Sequence, residues 1–204
     1  MITTMTIGPP IHPIEIPADA LVLLVGAAGS GKTTLAARHF PAETILSSDA
    51  LRAEVSGDPA NQAVSPIAFR ILHDRARRRL AAGQLTVIDA TNIVASARGP
   101  LRRLAREHGR PVVAIVLDLP AELSLGRNAG RLERVVPESA VRRQQAALRR
   151  ALDQGELAAE GLTALVVLAD PGEADAMTIR LTKTARAATL SPSALPRRIR
   201  RRMP

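Results

Sequence analysis

The feature that most constrains this chain is a glycine-rich segment, GAAGSGKT, which runs from Gly26 to Thr33. It matches the pattern G-x-x-x-x-G-K-[ST] in full, between an apolar strand predicted over Ala20–Val25 and a helix predicted over Thr33–Arg38. In such a segment, backbone N–H groups and the positive end of the helix dipole point at phosphate groups. The segment predicts a nucleotide-binding site; the alternative is a glycine-rich turn that binds no nucleotide.

Each polar residue of this P-loop has an expected function toward ATP. We expect Lys32 to reach the β- and γ-phosphates and Thr33 to ligate Mg²⁺. The predicted ATP-binding residues are Gly26, Ala27, Ala28, Gly29, Ser30, Gly31, Lys32, Thr33 and Thr34.

Apolar runs alternate with helical patterns along most of the chain, which is typical of a doubly wound α/β fold. The fold class predicted is therefore α/β: a P-loop NTPase or kinase fold with a parallel five-stranded sheet, helices on both faces and a helical arginine lid. The predicted strands are Ala20–Val25, Thr44–Leu46, Leu85–Ile88, Val112–Leu117 and Leu162–Leu168. The predicted helices are Thr33–Arg38, Pro66–Ala82, Ala95–His108 and Ser139–Leu152.

The ends of the chain differ in composition from its body. Residues 1–18 contain several prolines and no lysine or arginine, and are expected to be a flexible leader and no signal peptide. Residues 19–183 are expected to form the P-loop kinase domain, and residues 184–204 a disordered basic tail. The chain has no cysteine and no apolar stretch long enough to span a bilayer, so we expect a cytoplasmic protein without membrane contact.

The net charge of +9 is concentrated at one end, because five arginines lie within the last eight residues. A basic run, RARRR over residues 75–79, is interpreted as a solvent-exposed face, with contact to backbone phosphates as the alternative. The aromatic residues are Phe40 and Phe69 alone. This chain therefore lacks the rows of rings on which single-stranded bases stack, and any bound nucleic acid is expected to be held by its backbone.

The segment SSDALR follows the second predicted strand. Asp49 should face the γ-phosphate, because the carboxyl ends of parallel strands line the ligand crevice, and it can accept the proton of an attacking hydroxyl. Arg52 lies one helical turn on and can hold an acceptor phosphate. Alternatively, Asp49 caps a helix that begins at Ala50 and pairs with Arg52.

The segment LTVIDATN has the form of an apolar strand that ends in a carboxylate. We expect Asp89 to hold Mg²⁺ through its water shell and Asn92 to bind substrate or orient a neighbouring loop. The alternative for Asp89 is a strand-end Asx turn.

Three arginines, Arg127, Arg131 and Arg134, follow the fourth predicted strand at spacings of four and three. Such a segment is typical of a lid whose cations neutralise charge on a transferring phosphoryl group. The alternative is a solvated basic helix end.

Together these segments resemble the polynucleotide 5′-kinase domain of bacterial end-healing enzymes of the polynucleotide kinase-phosphatase type. The resemblance covers roughly Leu21 to Leu168 and includes SSDALR, VSGDPANQ, AFRILHDRARRRLAAGQLTVIDATN, SARGPLRRLAR and RNAGRLERVVPESAVRRQ. It implies an ATP- and Mg²⁺-dependent kinase in which Asp49 is the general base, Arg52 contacts the acceptor phosphate, and Arg127 and Arg131 bracket the donor phosphates. In those enzymes the kinase is fused to a phosphatase and a nucleotidyltransferase, whereas here only a tail follows.

The resemblance implies transfer of the ATP γ-phosphate to the 5′-OH end of DNA or RNA. Two alternatives stay open: a kinase of a small hydroxylated molecule (a nucleotide sugar, sugar or antibiotic), and an ATPase switch that acts on a partner.

Overall fold

The computed structural model describes residues 3–6, 13–130 and 135–183. Within these ranges, parallel strands form one six-stranded sheet in the order β1-β7-β6-β3-β5-β4, and β2 and β8 form a separate parallel pair. The strands are β1 (Thr3–Thr6), β2 (Ile14–Pro17), β3 (Leu21–Gly26), β4 (Ile45–Ser47), β5 (Thr86–Asp89), β6 (Val112–Leu117), β7 (Ala164–Leu168) and β8 (Ile179–Thr182).

Helices cover both faces of this sheet, so its central strands are buried on both sides. The α-helices are α1 (Lys32–His39), α2 (Ser48–Ser56), α3 (Ser65–Ala81), α4 (Ala95–Glu107), α5 (Ala121–Ala129), α6 (Glu138–Asp153) and α7 (Pro171–Ala176). Short 3₁₀ turns lie at Ala42–Thr44, Gln62–Val64 and Ala158–Glu160.

Two apolar clusters hold the layers together. One lies between the sheet and helices α3, α4 and α6, and includes Leu72, Leu101 and Leu148; the other lies on the opposite face, and includes Leu35 and Met177. Every residue of β3 and of β6 is buried. These two strands read as continuous apolar runs because both of their faces must leave water.

The sheet order reverses direction at β3. The chain passes from β3 to β4 and β5 on one side, and then to β6 and β7 on the other. At such a point the loops after the strands separate and leave a crevice at the carboxyl edge of the sheet. The P-loop leaves β3 at this crevice, which places it beside the carboxyl ends of β5 and β6.

The parallel sheet and the flanking helices confirm the predicted α/β fold. The predicted arginine lid includes residues 131–134, which lie outside the described residues. All five predicted strands lie side by side, and Val112–Leu117 has the predicted bounds. The structure adds β1 at the outer edge of the sheet, paired with β7. This strand was not predicted, because TTMT is short and lacks the apolar run that identifies a buried strand.

The predicted flexible leader differs from the structure. Residues 14–17 form β2, which pairs with β8, and the side chains of Ile14 and Ile16 are buried in the second apolar cluster. The alternation of IEIP, with Glu15 exposed between the two isoleucines, favours a strand even though prolines surround it. The predicted tail over residues 184–204 lies outside the described residues. None of the described helices combines the length and apolar character that a membrane crossing requires.

Candidate functional site

The P-loop wraps around the N-terminus of α1. Gly31 occupies the N-cap position with φ +97°, and Gly29 has φ +79°, a region that side chains rarely adopt. A Cβ at Gly29 would also overlap the backbone carbonyl oxygen of Ser124 on α5. Glycine is therefore required here twice, by the backbone conformation and by the close approach of α5.

The side chain of Lys32 lies inside the loop that it follows. It is 8% exposed, and its Nζ donates to the carbonyl oxygens of Gly26 at 2.9 Å and Ala27 at 2.7 Å, and to Ser30 Oγ at 3.2 Å. Three oxygens thus hold the ammonium group at the centre of the phosphate-binding loop. This is the place at which the P-loop pattern predicts a cation for the phosphates.

Thr33 and Asp89 meet at the base of the loop. Thr33 Oγ1 donates a hydrogen bond of 2.9 Å to Asp89 Oδ2, although 56 residues separate them in sequence. Asp89 is the last residue of β5 and is buried. A hydroxyl and a carboxylate side by side are hard oxygen ligands, which Mg²⁺ prefers. Among the described residues, no group of three or more acidic, histidine or cysteine side chains could hold a metal. With Thr33 and Asp89 as protein ligands, a magnesium ion here would take its remaining ligands from phosphates and water.

Asp49 lies in the first turn of α2, where the helix dipole favours a carboxylate. It forms an ion pair with Arg52, whose Nε also donates to the Pro59 carbonyl oxygen at 2.9 Å. The helix begins at Ser48 and its N-cap is Ser47, whose side chain accepts a hydrogen bond from the backbone N–H of Ala50. The alternative that Asp49 caps this helix is therefore wrong, whereas the pairing with Arg52 is present.

The side chain of Asn92 points into the protein and not into either cavity beside the P-loop. Its side chain is 3% exposed and its Nδ2 donates to the Leu24 carbonyl oxygen at 2.8 Å, while its backbone adopts φ +47°. The amide thereby ties the loop after β5 to strand β3. This corrects the expectation of a substrate contact, because the donor group is spent inside the protein.

Arg127 is carried by α5 and reaches the P-loop. Its guanidinium group lies over Gly31, about 3.2 Å from where a Cβ would stand. The next residue, Asn128, exchanges two hydrogen bonds between its side chain and the backbone of Val136, at 2.7 Å and 3.1 Å. The predicted lid residues Arg131 and Arg134 lie outside the described residues.

Gln144, a residue of α6, was not singled out from the sequence although it stands within the RRQ of the last motif. Its Oε1 accepts a hydrogen bond of 2.9 Å from the backbone N–H of Ala28 in the P-loop. Only its contact across 116 residues of sequence identifies it, which no local pattern signals.

A buried ion pair that the sequence analysis missed supports the loop after β5. Arg98 is fully buried, pairs with Glu160, and donates to the carbonyl oxygens of Asn92 at 2.8 Å and Ile93 at 2.5 Å. Glu160 also pairs with Arg102 at 3.1 Å. These contacts, which we call the Arg98 clamp, fix the loop that begins after Asp89 and contains Asn92.

Two cavities flank the P-loop. The α1–α7 cavity, of about 470 Å³, is lined by Gly29, Ser30, Gly31, Thr34, Leu35, Arg38, Leu117, Arg127, Ala174 and Asp175. The α2–α3 cavity, of about 170 Å³, is lined by Ala28, Lys32, Thr33, Ser48, Asp49, Arg52, Gln62, Phe69, Asp89, Ala90, Thr91, Val136 and Gln144. The predicted base, the predicted acceptor contact and the predicted metal ligands therefore share one cavity, and Thr34 and Arg127 line the other.

Comparison with protein families agrees with this architecture. The model of an AAA domain family matches residues 21–151 of the chain. This range extends from the start of β3 to the last turn of α6 and includes every site residue described above apart from Glu160 and the α7 residues. Comparison with curated protein sequences finds no match.

Solved structures share the fold. A chain of the Pnkp1/Rnl/Hen1 RNA repair complex is 22% identical, with 71% of this chain and 47% of that chain covered and a TM-score of 0.58. A chain of the AvrRxo1-ORF1:-ORF2 complex with ATP is 18% identical, with 75% of this chain and 55% of that chain covered and a TM-score of 0.60. A sugar kinase from Janibacter sp. HTCC2649 is 26% identical, with 76% of this chain and 88% of that chain covered and a TM-score of 0.49. This chain spans about half the length of the first two, and at these identities they establish a common fold.

Proposed function

Because the chain belongs to the AAA domain family and has the fold of P-loop kinases, we propose that it transfers the γ-phosphate of ATP to the 5′-OH end of DNA or RNA. One observation carries this proposal: Asp49 lines the same cavity as Lys32, Thr33 and Asp89. A carboxylate beside the phosphate-binding loop is what distinguishes a site that activates a hydroxyl from one that only binds nucleotide.

The donor nucleotide fits the P-loop and the α1–α7 cavity. Glycines leave the loop open where side chains would block a phosphate, and the N-terminus of α1 supplies backbone N–H groups. The cavity beyond Thr34 then takes the nucleoside. Thr33 and Asp89 would hold Mg²⁺, which when bound neutralises charge on the phosphates.

Asp49 acts as the base. The hydroxyl oxygen of the acceptor attacks the γ-phosphorus, Asp49 accepts the hydroxyl proton, and the bond from the γ-phosphorus to the bridging oxygen breaks to release ADP. Lys32 and Arg127 spread the negative charge that develops. Arg131 is proposed to act with them from the lid segment, which lies outside the described residues.

Arg52 is proposed to hold the phosphate on the 3′ side of the terminal nucleoside. Its side chain is 4% exposed and stands beside Asp49, so it can place a phosphodiester one nucleotide away from the reacting hydroxyl. The Pro59 carbonyl oxygen fixes the guanidinium orientation. A bidentate arginine contact of this kind is specific for a phosphate or carboxylate.

A second candidate is supported by the size of the α2–α3 cavity. Its volume of about 170 Å³ is below the roughly 300–1,000 Å³ typical of ligand pockets. A small hydroxylated molecule, such as a sugar, therefore remains the alternative acceptor.

The proposal is tested by incubating the protein with γ-labelled ATP, Mg²⁺ and a 5′-OH oligonucleotide. We expect label on the 5′ end, and a loss of about 10²–10⁴-fold in rate for Asp49→Asn with ATP affinity unchanged. ATP consumption that labels only molecules of a metabolite extract would support the small acceptor. Hydrolysis without any labelled acceptor would support an ATPase switch.

Arg52→Ala separates the two kinds of acceptor. For an oligonucleotide, the KM should rise by about 10- to 150-fold, which corresponds to a charge-assisted hydrogen bond of about 1.5–3 kcal/mol. An unchanged oligonucleotide KM would contradict the proposed contact.

A further inference from the structure

Phe69 lies on α3 outside the apolar core. Helix α3 turns Ala68, Leu72, Ala76 and Leu80 into the first apolar cluster, whereas Phe69 is 36% exposed. Its ring lines the α2–α3 cavity together with Asp49 and Arg52. A large aromatic side chain at a polar cavity offers a flat apolar surface to whatever enters.

Two arginines continue from Phe69 along the same face of α3. At 100° per residue, Phe69, Arg70, His73 and Arg77 fall within about 100° of one another around the helix. Arg70, His73 and Arg77 line an open depression that begins on this helix one residue after Phe69. Because α3 rises by 1.5 Å per residue, Phe69 and Arg77 lie about 12 Å apart along the helix axis.

The charge of this face is not balanced by carboxylates. Asp74, the acidic residue in the depression, pairs with Arg78 at 2.7 Å, and the neighbouring Arg75 pairs with Glu54. Arg70 and Arg77 are exposed and form no ion pair with any described residue. Burial and the nearby Arg77 lower the pKa of His73, which favours the uncharged imidazole. The two arginines thus present an unpaired positive stripe.

We propose that Phe69, Arg70 and Arg77 form a track for the acceptor strand: the ring of Phe69 stacks on a base near the 5′ end, and the two arginines contact phosphates farther along the strand. This inference rests on the proposed function and extends it to the part of the acceptor outside the cavity. A strand that carries one charge every few ångströms can reach more than one cation over 12 Å. The track also explains how a cavity of about 170 Å³ can serve a polynucleotide, because only the end of the strand must enter it.

The track is tested by the binding of fluorescent 5′-OH dinucleotide and dodecanucleotide over a range of salt concentrations. The double variant Arg70→Gln/Arg77→Gln removes both proposed phosphate contacts. The matched control is Arg106→Gln/Arg150→Gln, which removes two exposed arginines from the last turns of α4 and α6. Both pairs change the net charge equally, and all four residues are exposed, so folding should be retained.

The expected result depends on acceptor length. The Arg70→Gln/Arg77→Gln variant should bind the dodecanucleotide on the order of tenfold more weakly, and its salt slope should fall by about 1.4 relative to the control variant. Its affinity for the dinucleotide should be unchanged. Equal salt slopes for the two double variants would overturn the phosphate contacts.

Phe69 is tested by two substitutions. Phe69→Leu should weaken binding of both acceptors on the order of tenfold, and Phe69→Trp should restore it, because stacking requires a ring. If leucine serves as well as tryptophan, the base contact is wrong. The labelling assay with the dinucleotide distinguishes the two proposals: label on it with equal salt slopes leaves the kinase and removes the track, whereas a track without label leaves a nucleic-acid-binding surface and removes the kinase.

Discussion

The two cavities beside the P-loop are built in different ways. Most of the α1–α7 cavity is formed by one continuous stretch of sequence, from Gly29 to Arg38, to which β6, α5 and α7 add a few side chains. The α2–α3 cavity takes its residues from the P-loop, α2, α3, the end of β5 and α6. Phosphate recognition is therefore local in sequence, whereas the acceptor side exists only when distant elements pack together. Variants that affect one side, the other, or both should make this difference measurable.

The largest loss of stability is expected at the Arg98 clamp, which holds the loop after the carboxyl end of β5, beside the P-loop. Glu160→Ala would leave Arg98 buried without its carboxylate and should destabilise the protein by about 3–5 kcal/mol. Chemical denaturation measures the change. Asp74→Ala breaks the exposed pair with Arg78 and serves as control, with an expected loss below about 1 kcal/mol. Comparable losses of unfolding free energy in the two variants would mean that the buried clamp stabilises the protein no more than an exposed ion pair does.

The donor side should respond next to a change in its backbone. Gly29→Ala places a side chain in a left-handed conformation and against the Ser124 carbonyl, so ATP affinity should fall more than tenfold and stability by about 1–3 kcal/mol. Gly57→Ala is the matched control, because Gly57 has φ +75° with no atom within 4 Å of a Cβ. Calorimetric ATP titration should show a loss for Gly29→Ala alone; equal ATP affinities would contradict the close approach of α5.

A smaller effect is expected where α6 contacts the P-loop. The side chain of Gln144 accepts the hydrogen bond of the Ala28 N–H group, so this donor is not free to bind a phosphate oxygen. Gln144→Ala should therefore raise ATP affinity by up to about tenfold, the equivalent of a hydrogen bond of about 0.5–1.5 kcal/mol. Gln62→Ala, on another wall of the same cavity, should leave ATP affinity unchanged. A weaker ATP affinity in Gln144→Ala would instead indicate that the amide binds the nucleotide.

The smallest effect is expected at the rim of the α1–α7 cavity. Arg38 and Asp175 pair at 3.3 Å, but both side chains are largely exposed, at 49% and 68%. Arg38→Ala should change stability by less than about 1 kcal/mol and ATP affinity by less than about fivefold, with any change disappearing at high salt. A large loss that persists at high salt would show that Arg38 touches the nucleotide directly.

Much of the fold could be predicted because its central elements carry strong local patterns. The strand Val112–Leu117 is six consecutive apolar residues, and a turn or cap residue bounds it on each side. Strands β1 and β8 lack such runs and are stabilised by their partners, and in β2 only the alternation of two isoleucines with Glu15 indicates a strand. The alternative that Asp49 caps its helix could be decided only from the structure, in which Ser47 occupies the N-cap position.

The sequence by itself determined the phosphate-binding side, because glycines with special backbone angles and one lysine define it within eight residues. It also identified Asp49 and Asp89 as carboxylates that follow or end strands, and Arg52 as a cation one helical turn after Asp49. Only the tertiary structure decided that these residues share one cavity, that Asn92 faces inward, and that Gln144, Phe69 and the Arg98 clamp belong to the site. The physical reason is range: backbone conformation follows from neighbouring residues, whereas a contact across more than a hundred residues follows from how the layers of the fold pack.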